Sequence, residues 1–553
     1  MMKYFTLSVF LSFSFITCYA QKKENADRIL IHGTIYTVDK KSTVSQALAI
    51  KEGKILATGT DRDILRRFSS DSILDLGGKA VFPGFIDGHS HFTGYALSLR
   101  EVNVFNTRSF SEVLNRLSKK SGESQATWIV GRGWDQNLWK SGEFPDRSVL
   151  DSMFPHRPVV LIRVCGHVLL ANGEALKRAG IIENNGFQAG EVEIKEGRLT
   201  GILRENAADR MRNAIPEPDI QEKVRLLESA QYNCFAAGLT GVTDAGLEAR
   251  QVRTLDSLDK DGDLDIRLYI MLAPSSENLR TYVEKGPVSS HHLNIRAIKL
   301  YADGSLGSRS ALLKSPYSDD PGNRGIRVTT PDSIRRICKI ALLHGYQVNT
   351  HAIGDSAVQL VLDVYKEFLK GKNDLRWRIE HSQVVDPEDF NLFGDYSVIP
   401  SVQATHATSD MRWASARLGE KRISGAYAYK RLLMQNGWLV NGTDFPIEKI
   451  SPLLTFYAAV SRQDTEGYPA GGFMPENALT REEALRSITL WAAKGEFEEK
   501  VKGSLEPGKM ADFVVLDKDI MKIPVIEIPQ VRVLKTFLEG KEVYSMKYRV
   551  QEK

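Results

Sequence analysis

Two histidines, His89 and His91, end the apolar run Pro83-Gly84-Phe85-Ile86-Asp87-Gly88-His89-Ser90-His91. On a strand, i, i+2 spacing turns both imidazoles to one face, where they can grip one metal ion. Four further apolar runs end in residues that can join them: Ala297-Ile298-Lys299, Val348-Asn349-Thr350-His351, Arg378-Ile379-Glu380-His381 and Leu439-Val440-Asn441-Gly442-Thr443-Asp444. The chemistry that such a set serves is hydrolysis. Splitting an amide at neutral pH needs a nucleophile stronger than water, and a divalent metal lowers the pKa of bound water towards roughly 7.

Bringing these run-ends together requires an array of parallel strands. Between the chain ends, strand and helix signals alternate as a (β/α)8 barrel requires. A helix around Leu226 to Ala237 leads into Leu239-Thr240-Gly241-Val242-Thr243-Asp244, and the runs Asp265 to Met271 and Ser397 to Val402 bring the strand count to eight. About 120 residues separate the first strand from its helix, far more than the few residues of an ordinary βα loop. This is an insertion domain, and it carries Thr127-Trp128-Ile129-Val130-Gly131-Arg132-Gly133-Trp134-Asp135 and Val159 to His167. An insertion on that face can cover the mouth of the site and shape substrate choice. At both chain ends, Arg28 to Asp75 and Gly503 to Gly540, the texture is alternating and glycine-punctuated, which reads as β-sheet without crossover helices.

The chain has 553 residues, room for more than one barrel of roughly 250 residues. Hydrophobic content of 42%, charged content of 26% and a net charge of +4 suit a soluble globular protein and argue against a nucleic-acid surface. Lys3, the apolar stretch Phe5 to Ile16 and Ala20 make residues 1–20 a secretory signal peptide cut after Ala20, so the expected location is periplasmic or secreted. A retained anchor is disfavoured by the short span, and a lipoprotein signal through Cys18 by the poor approach Phe15-Ile16-Thr17. Cys165, Cys234 and Cys338, odd in number and widely separated, imply no disulfide framework and read as small buried residues.

The ordered motifs resemble the amidohydrolase superfamily, whose ligands end barrel strands one, four, five, six and eight. His351-Ala352-Ile353-Gly354-Asp355, Gly442-Thr443-Asp444-Phe445-Pro446 and Asp303-Gly304-Ser305-Leu306-Gly307-Ser308-Arg309 narrow the likeness to the branch called YtcJ-like, or amidohydrolase family 3, which includes N-substituted formamide deformylase. The likeness runs from about Arg28 to the end. It implies an α/β fold: a (β/α)8 TIM barrel over residues 83–499 with the insertion at about 100–220, and a composite β-sandwich from residues 21–82 and 500–553. Two departures, Cys165 for an aspartate before Gly-His and Ala404 for a proline after Val402-Gln403, lie outside the expected ligands and bear on substrate.

The resemblance also assigns roles. His89, His91 and Asp444 would hold one metal, and His351 with His381 a second, giving one or two divalent ions with zinc as the default and manganese, iron or nickel fitting similar ligands. An unmodified Lys299 would repel a cation, so it serves as a ligand only as a carbamate formed with CO2; Glu205 is the substitute if it fails. Asp444 would take a proton during attack and deliver it to the leaving amine. His406 or His167 would polarise the carbonyl, with Trp134 and Asp135 as further pocket residues. Asp303 and Arg309 are expected to order the loop after strand four, and Glu466 to Gly472 reads as a glycine-rich loop after strand eight. His32, His156, His291, His292 and His344 read as surface or packing residues.

The expected activity is metal-dependent hydrolysis of a carbon-nitrogen bond other than a peptide bond, in an N-substituted amide or formamide, a cyclic amide or an N-acyl compound. Deamination on the same scaffold is the alternative, and a binding protein on a retired hydrolase fold the rival from another class. The expected partner is a small-molecule substrate, with no nucleic acid and no stable membrane span after signal cleavage; a homodimer is left open.

Overall fold

The computed structural model describes residues 23–123, 127–163, 168–182 and 191–546. Eight parallel strands form the centre: β1 (Phe85–Ser90), β2 (Leu239–Leu247), β3 (Arg267–Leu272), β4 (Leu293–Tyr301), β5 (Gln347–Ala352), β6 (Arg378–His381), β7 (Ile399–Val402) and β8 (Val440–Asn441). Each pairs with the next in chain order. Both faces are buried, which explains why these segments read as apolar runs rather than clean alternations. Leu268 and Ile270 of β3 join the large core shared with the surrounding helices, whereas Tyr269 and Met271 fill the barrel interior with Ala245 and Ala297.

The ring closes between β1 and β8 without a regular ladder. The Asp444 amide donates to His89 O at 2.8 Å, the His91 amide to Phe445 O at 2.9 Å, and the Thr443 amide to the buried Asp87 carboxylate at 2.9 Å. Gly442 permits this approach, because a Cβ there would lie 2.4 Å from the His89 amide nitrogen.

Sequence signals fix the helix ends. Helix Pro331–His344 starts at a Thr330 cap with proline in its first turn and stops at Gly345, whose φ of 75° suits glycine. Helix Leu490–Gly495 covers the barrel floor, where Gln347 Nε2 donates to Gly495 O at 3.0 Å and Thr243 Oγ1 to the Glu496 carboxylate at 2.9 Å.

Both chain ends meet in one sheet, where strand Phe513–Leu516 pairs antiparallel with Ala80–Pro83 and with Val533–Leu538. A four-stranded sheet built on Arg28–Ile31 and Ala47–Lys51 packs against it through Leu30, Ile50, Val81, Phe513 and Phe537. The insertion is a separate six-stranded sheet with helices, carrying one apolar core on each face. Among the described residues, no helix is long and apolar enough to cross a membrane.

Candidate metal centre

The C-terminal ends of the strands bring His89, His91, Lys299, His351, His381 and Asp444 together. Each histidine spends one ring nitrogen on an acceptor behind it. His89 Nδ1 donates to Glu380 Oε2 at 2.5 Å, His91 Nδ1 to Ala245 O at 3.3 Å and His381 Nδ1 to Gln403 Oε1 at 2.7 Å. His351 is reversed, with Nε2 donating to Gly304 O at 3.2 Å. A neutral imidazole carries one proton, so an acceptor on one nitrogen leaves the other as a lone-pair donor. The four rings therefore offer Nε2 of His89, His91 and His381 and Nδ1 of His351. The His89 and His381 rings lie 5.0 Å apart and those of His351 and His381 4.6 Å.

Burial favours the neutral rings of His89, His351 and His381, while Asp444 stays charged. Burial pushes the pKa of His89 and of His381 down, and that of His351 to about 3. Burial alone would raise Asp444, yet the surrounding histidines hold it well below the usual carboxylate range. Glu380 is likewise raised by burial but brought down to about 2 by His89 and Arg378. Lys299 is 1% exposed, its Nζ 3.2 Å from His89 Nε2; burial lowers its pKa to about 8, despite the opposing pull of Glu380 and Asp444. A lysine in that range presents more free amine at neutral pH than an exposed one, as carbamate formation requires.

These residues fit a metal. His89, His91 and Asp444 present ligand atoms within 4.8 Å of one another, and His381, His406 and Asp444 form a second such group. Asp444 Oδ1 and His406 Nε2 are buried and make no hydrogen bond, although His91 Nε2 lies 3.3 Å from that carboxylate oxygen. Buried polar atoms without partners are costly, and a cation or a substrate group facing them removes the cost. His381 (φ 75°), Ser382 (φ 44°) and Asp444 (φ 60°) adopt left-handed backbone, a strain that tends to collect at functional sites.

The ligand-atom groups add His406 to the expected set. His351 touches His381 as a ring, but the atom group around His381 is completed by His406, which helix Ala404–Asp410 carries over the barrel mouth, its Nε2 3.7 Å from Asp444. Trp134 is a correction. Its indole is fully buried in the insertion's own core, stacked on Trp139 with Nε1 donating to Leu161 O, so it supports the insertion rather than lining the site. Asp135 is engaged by Arg163 at 2.7 Å. His167, Cys165 and the side chain of Glu205 lie outside the described residues.

Several buried carboxylates shape the centre. Glu380 was visible only as the neighbour of His381, and nothing local marks it as the partner of His89, 291 positions away. Asp303 accepts from the Leu312, Ile353 and Gly354 amides and so ties the loops after β4 and β5 together, while Arg309 pairs with Asp319. Asp244 accepts from the amide and hydroxyl of Thr93 in the helix that follows His91.

The profile of the amidohydrolase family matches residues 72–544. Among curated proteins, the chain is similar to Protein LONG AFTER FAR-RED 3 of Arabidopsis thaliana, 32% identical over 94% of this chain and 92% of that protein. YtcJ of Bacillus subtilis, described as an amidohydrolase, is 29% identical over 93% and 98%, and N-substituted formamide deformylase of Arthrobacter pascens 26% identical over 93% and 97%. Among solved structures, an uncharacterized metal-dependent hydrolase from Pyrococcus horikoshii superposes with a TM-score of 0.77 at 31% identity, covering 90% of this chain and 99% of that one.

Proposed function

The chain belongs to the amidohydrolase family, and from that premise we propose that this metal-dependent hydrolase cleaves a carbon-nitrogen bond other than a peptide bond, in an N-substituted amide or formamide, a cyclic amide or an N-acyl compound. The observation that carries the reading is the convergence of four imidazoles, each with one nitrogen tied back by an acceptor, around Asp444, whose buried Oδ1 makes no hydrogen bond. The similarity to a protein named for deformylating N-substituted formamides supports this bond class.

His89, His91, His351, His381 and Asp444 would hold one or two divalent ions, zinc being the first choice, with a carboxylated Lys299 completing the set. When bound, the metal lowers the pKa of a water and polarises the scissile carbonyl. The remaining steps fall to side chains. Asp444, held in its charged form, takes a proton from the attacking water as the oxygen bonds to the carbonyl carbon. It returns that proton to the nitrogen as the carbon-nitrogen bond breaks, giving a carboxylic acid and an amine. His406, with its free Nε2 facing the same space, donates to the carbonyl oxygen as charge builds there.

The residues 1–20 support export, with a mature start near Gln21 and a periplasmic or secreted location; N-terminal sequencing of the protein recovered from each cell fraction tests this. The activity is tested by elemental analysis of protein purified without chelator and with bicarbonate, followed by a panel of amides, formamides, cyclic amides and aminated heterocycles. Bound metal together with turnover of an amide or formamide is the expected result. Turnover of the aminated heterocycles alone would replace the reading with deamination, and neither metal nor turnover after reloading would overturn it.

A further inference from the structure

Far from the catalytic face, at the floor of the barrel, lies a second group of metal-ligating side chains that the hydrolytic reading does not use. His291 and His292 lie between strand Val288–Ser289 and β4, and Glu539 sits in the turn between strands Val533–Leu538 and Lys541–Ser545. Their ligand atoms fall within 4.8 Å of one another: His291 Nε2 is 2.9 Å and His292 Nε2 3.8 Å from Glu539 Oε1. We propose that His291, His292 and Glu539 form a divalent transition-metal site that clamps the C-terminal hairpin to the barrel.

Three observations carry this. The first is orientation. His292 Nδ1 donates to Asp259 Oδ1 at 3.0 Å, which leaves Nε2 as the lone-pair nitrogen facing Glu539, the same carboxylate-histidine arrangement that orients ligands in metal sites. Asp259 is itself held by Ser290 Oγ at 2.5 Å.

The second is charge. Arg267 bonds to Asp512 at 2.8 Å and to Glu539 at 2.9 Å, and a third carboxylate, Asp259, stands behind His292 at 3.0 Å. Lys260, next to Asp259 in the chain, is taken by Asp256 at 2.6 Å. Three carboxylates against one guanidinium leave an excess of acidic over basic side chains that a divalent ion would balance. Arg267 is anchored chiefly by both Asp512 oxygens, so its one contact with Glu539 Oε1 does not exhaust that carboxylate.

The third is placement. The Glu539 backbone is pinned in a left-handed turn, φ 51°, by the hydrogen bond its N–H donates to Asp512 Oδ1, while the side chain of His291 is 59% exposed, so an anchored carboxylate meets a ligand open to solvent. Two imidazoles and one carboxylate suit zinc, nickel or cobalt rather than calcium or magnesium.

Zinc binding to the full-length enzyme by equilibrium dialysis tests the site, comparing the natural chain with His291→Ala and with Glu539→Gln, which keeps the side-chain shape. The natural chain should take up one more saturable equivalent than either variant, its melting temperature should rise as that equivalent binds, and all three should share one hydrolytic activity. Asp259→Asn should weaken the extra equivalent about 10- to 100-fold. Equal numbers of equivalents in all three proteins, or a thermal shift that persists in both variants, would overturn the proposal.

Discussion

Glu380 shows how a residue outside the proposed ligand set would govern one inside it. Its carboxylate fixes the proton of His89 on Nδ1, so Nε2 faces the centre. Glu380→Ala should therefore weaken metal binding about 10- to 100-fold, read by competition with a chelator, whereas Glu380→Gln, which keeps an acceptor oxygen, should recover most of the affinity. Asp444→Asn keeps the shape but removes the proton carrier, and kcat should fall about 10²- to 10⁴-fold in samples whose metal content matches the natural enzyme. Lys299 adds a pH dependence. Only the free amine reacts with CO2, and with a pKa of about 8 its fraction rises as pH rises through that value. Bicarbonate-dependent metal uptake should increase over that window and vanish in Lys299→Ala.

At the scale of elements, the site depends on how β1 meets β8. The two strands are joined by three hydrogen bonds around His89, His91 and Asp87, not by a ladder. Gly442→Ala would drive a methyl group into the His89 backbone. The strands must separate there, and overpacking of this kind costs about 1–3 kcal/mol. The variant should stay folded by circular dichroism, melt earlier and bind metal poorly; full metal content would contradict this account of the closure. The insertion shows where element-level reading fails. In Gly131-Arg132-Gly133-Trp134-Asp135 the alternation marks a strand, but it does not say which face meets the substrate, and Trp134 turned inward to Trp139 and Leu161.

At the scale of the whole molecule, Arg267 fastens the sheet built from both chain ends to the barrel through Asp512 and Glu539. Arg267 is 5% and Asp512 4% exposed, so removing the guanidinium strands a buried charge. Arg267→Ala should cost about 3–5 kcal/mol in denaturant unfolding. The same fastening sets an acid limit. Burial would raise the Glu539 pKa, but Arg267 holds it below the ordinary value. Its contribution is therefore present above the unfolded pKa of about 4.3 and is lost as pH falls through the lower folded value, so the melting temperature should decline below about pH 4.

The sequence by itself determined the fold class and which histidines, lysine and aspartate end its strands, because periodicity, glycine and proline punctuation and the placing of histidines are properties of neighbours in the chain. Eight apolar runs in order are enough to specify a (β/α)8 barrel, and metal-ligating residue types at their C-terminal ends are enough to point to one centre. Tertiary structure alone decided which nitrogen each imidazole presents, that His89 leans on Glu380 and His381 on Gln403, that His406 joins Asp444, and that His291 and His292 meet Glu539. Those pairings join residues from 22 to 291 positions apart for the first two, and they exist only once the ring closes and the chain ends dock. The hydrogen-bond partner behind a ring, not the ring's place in the chain, sets its tautomer and so its chemistry.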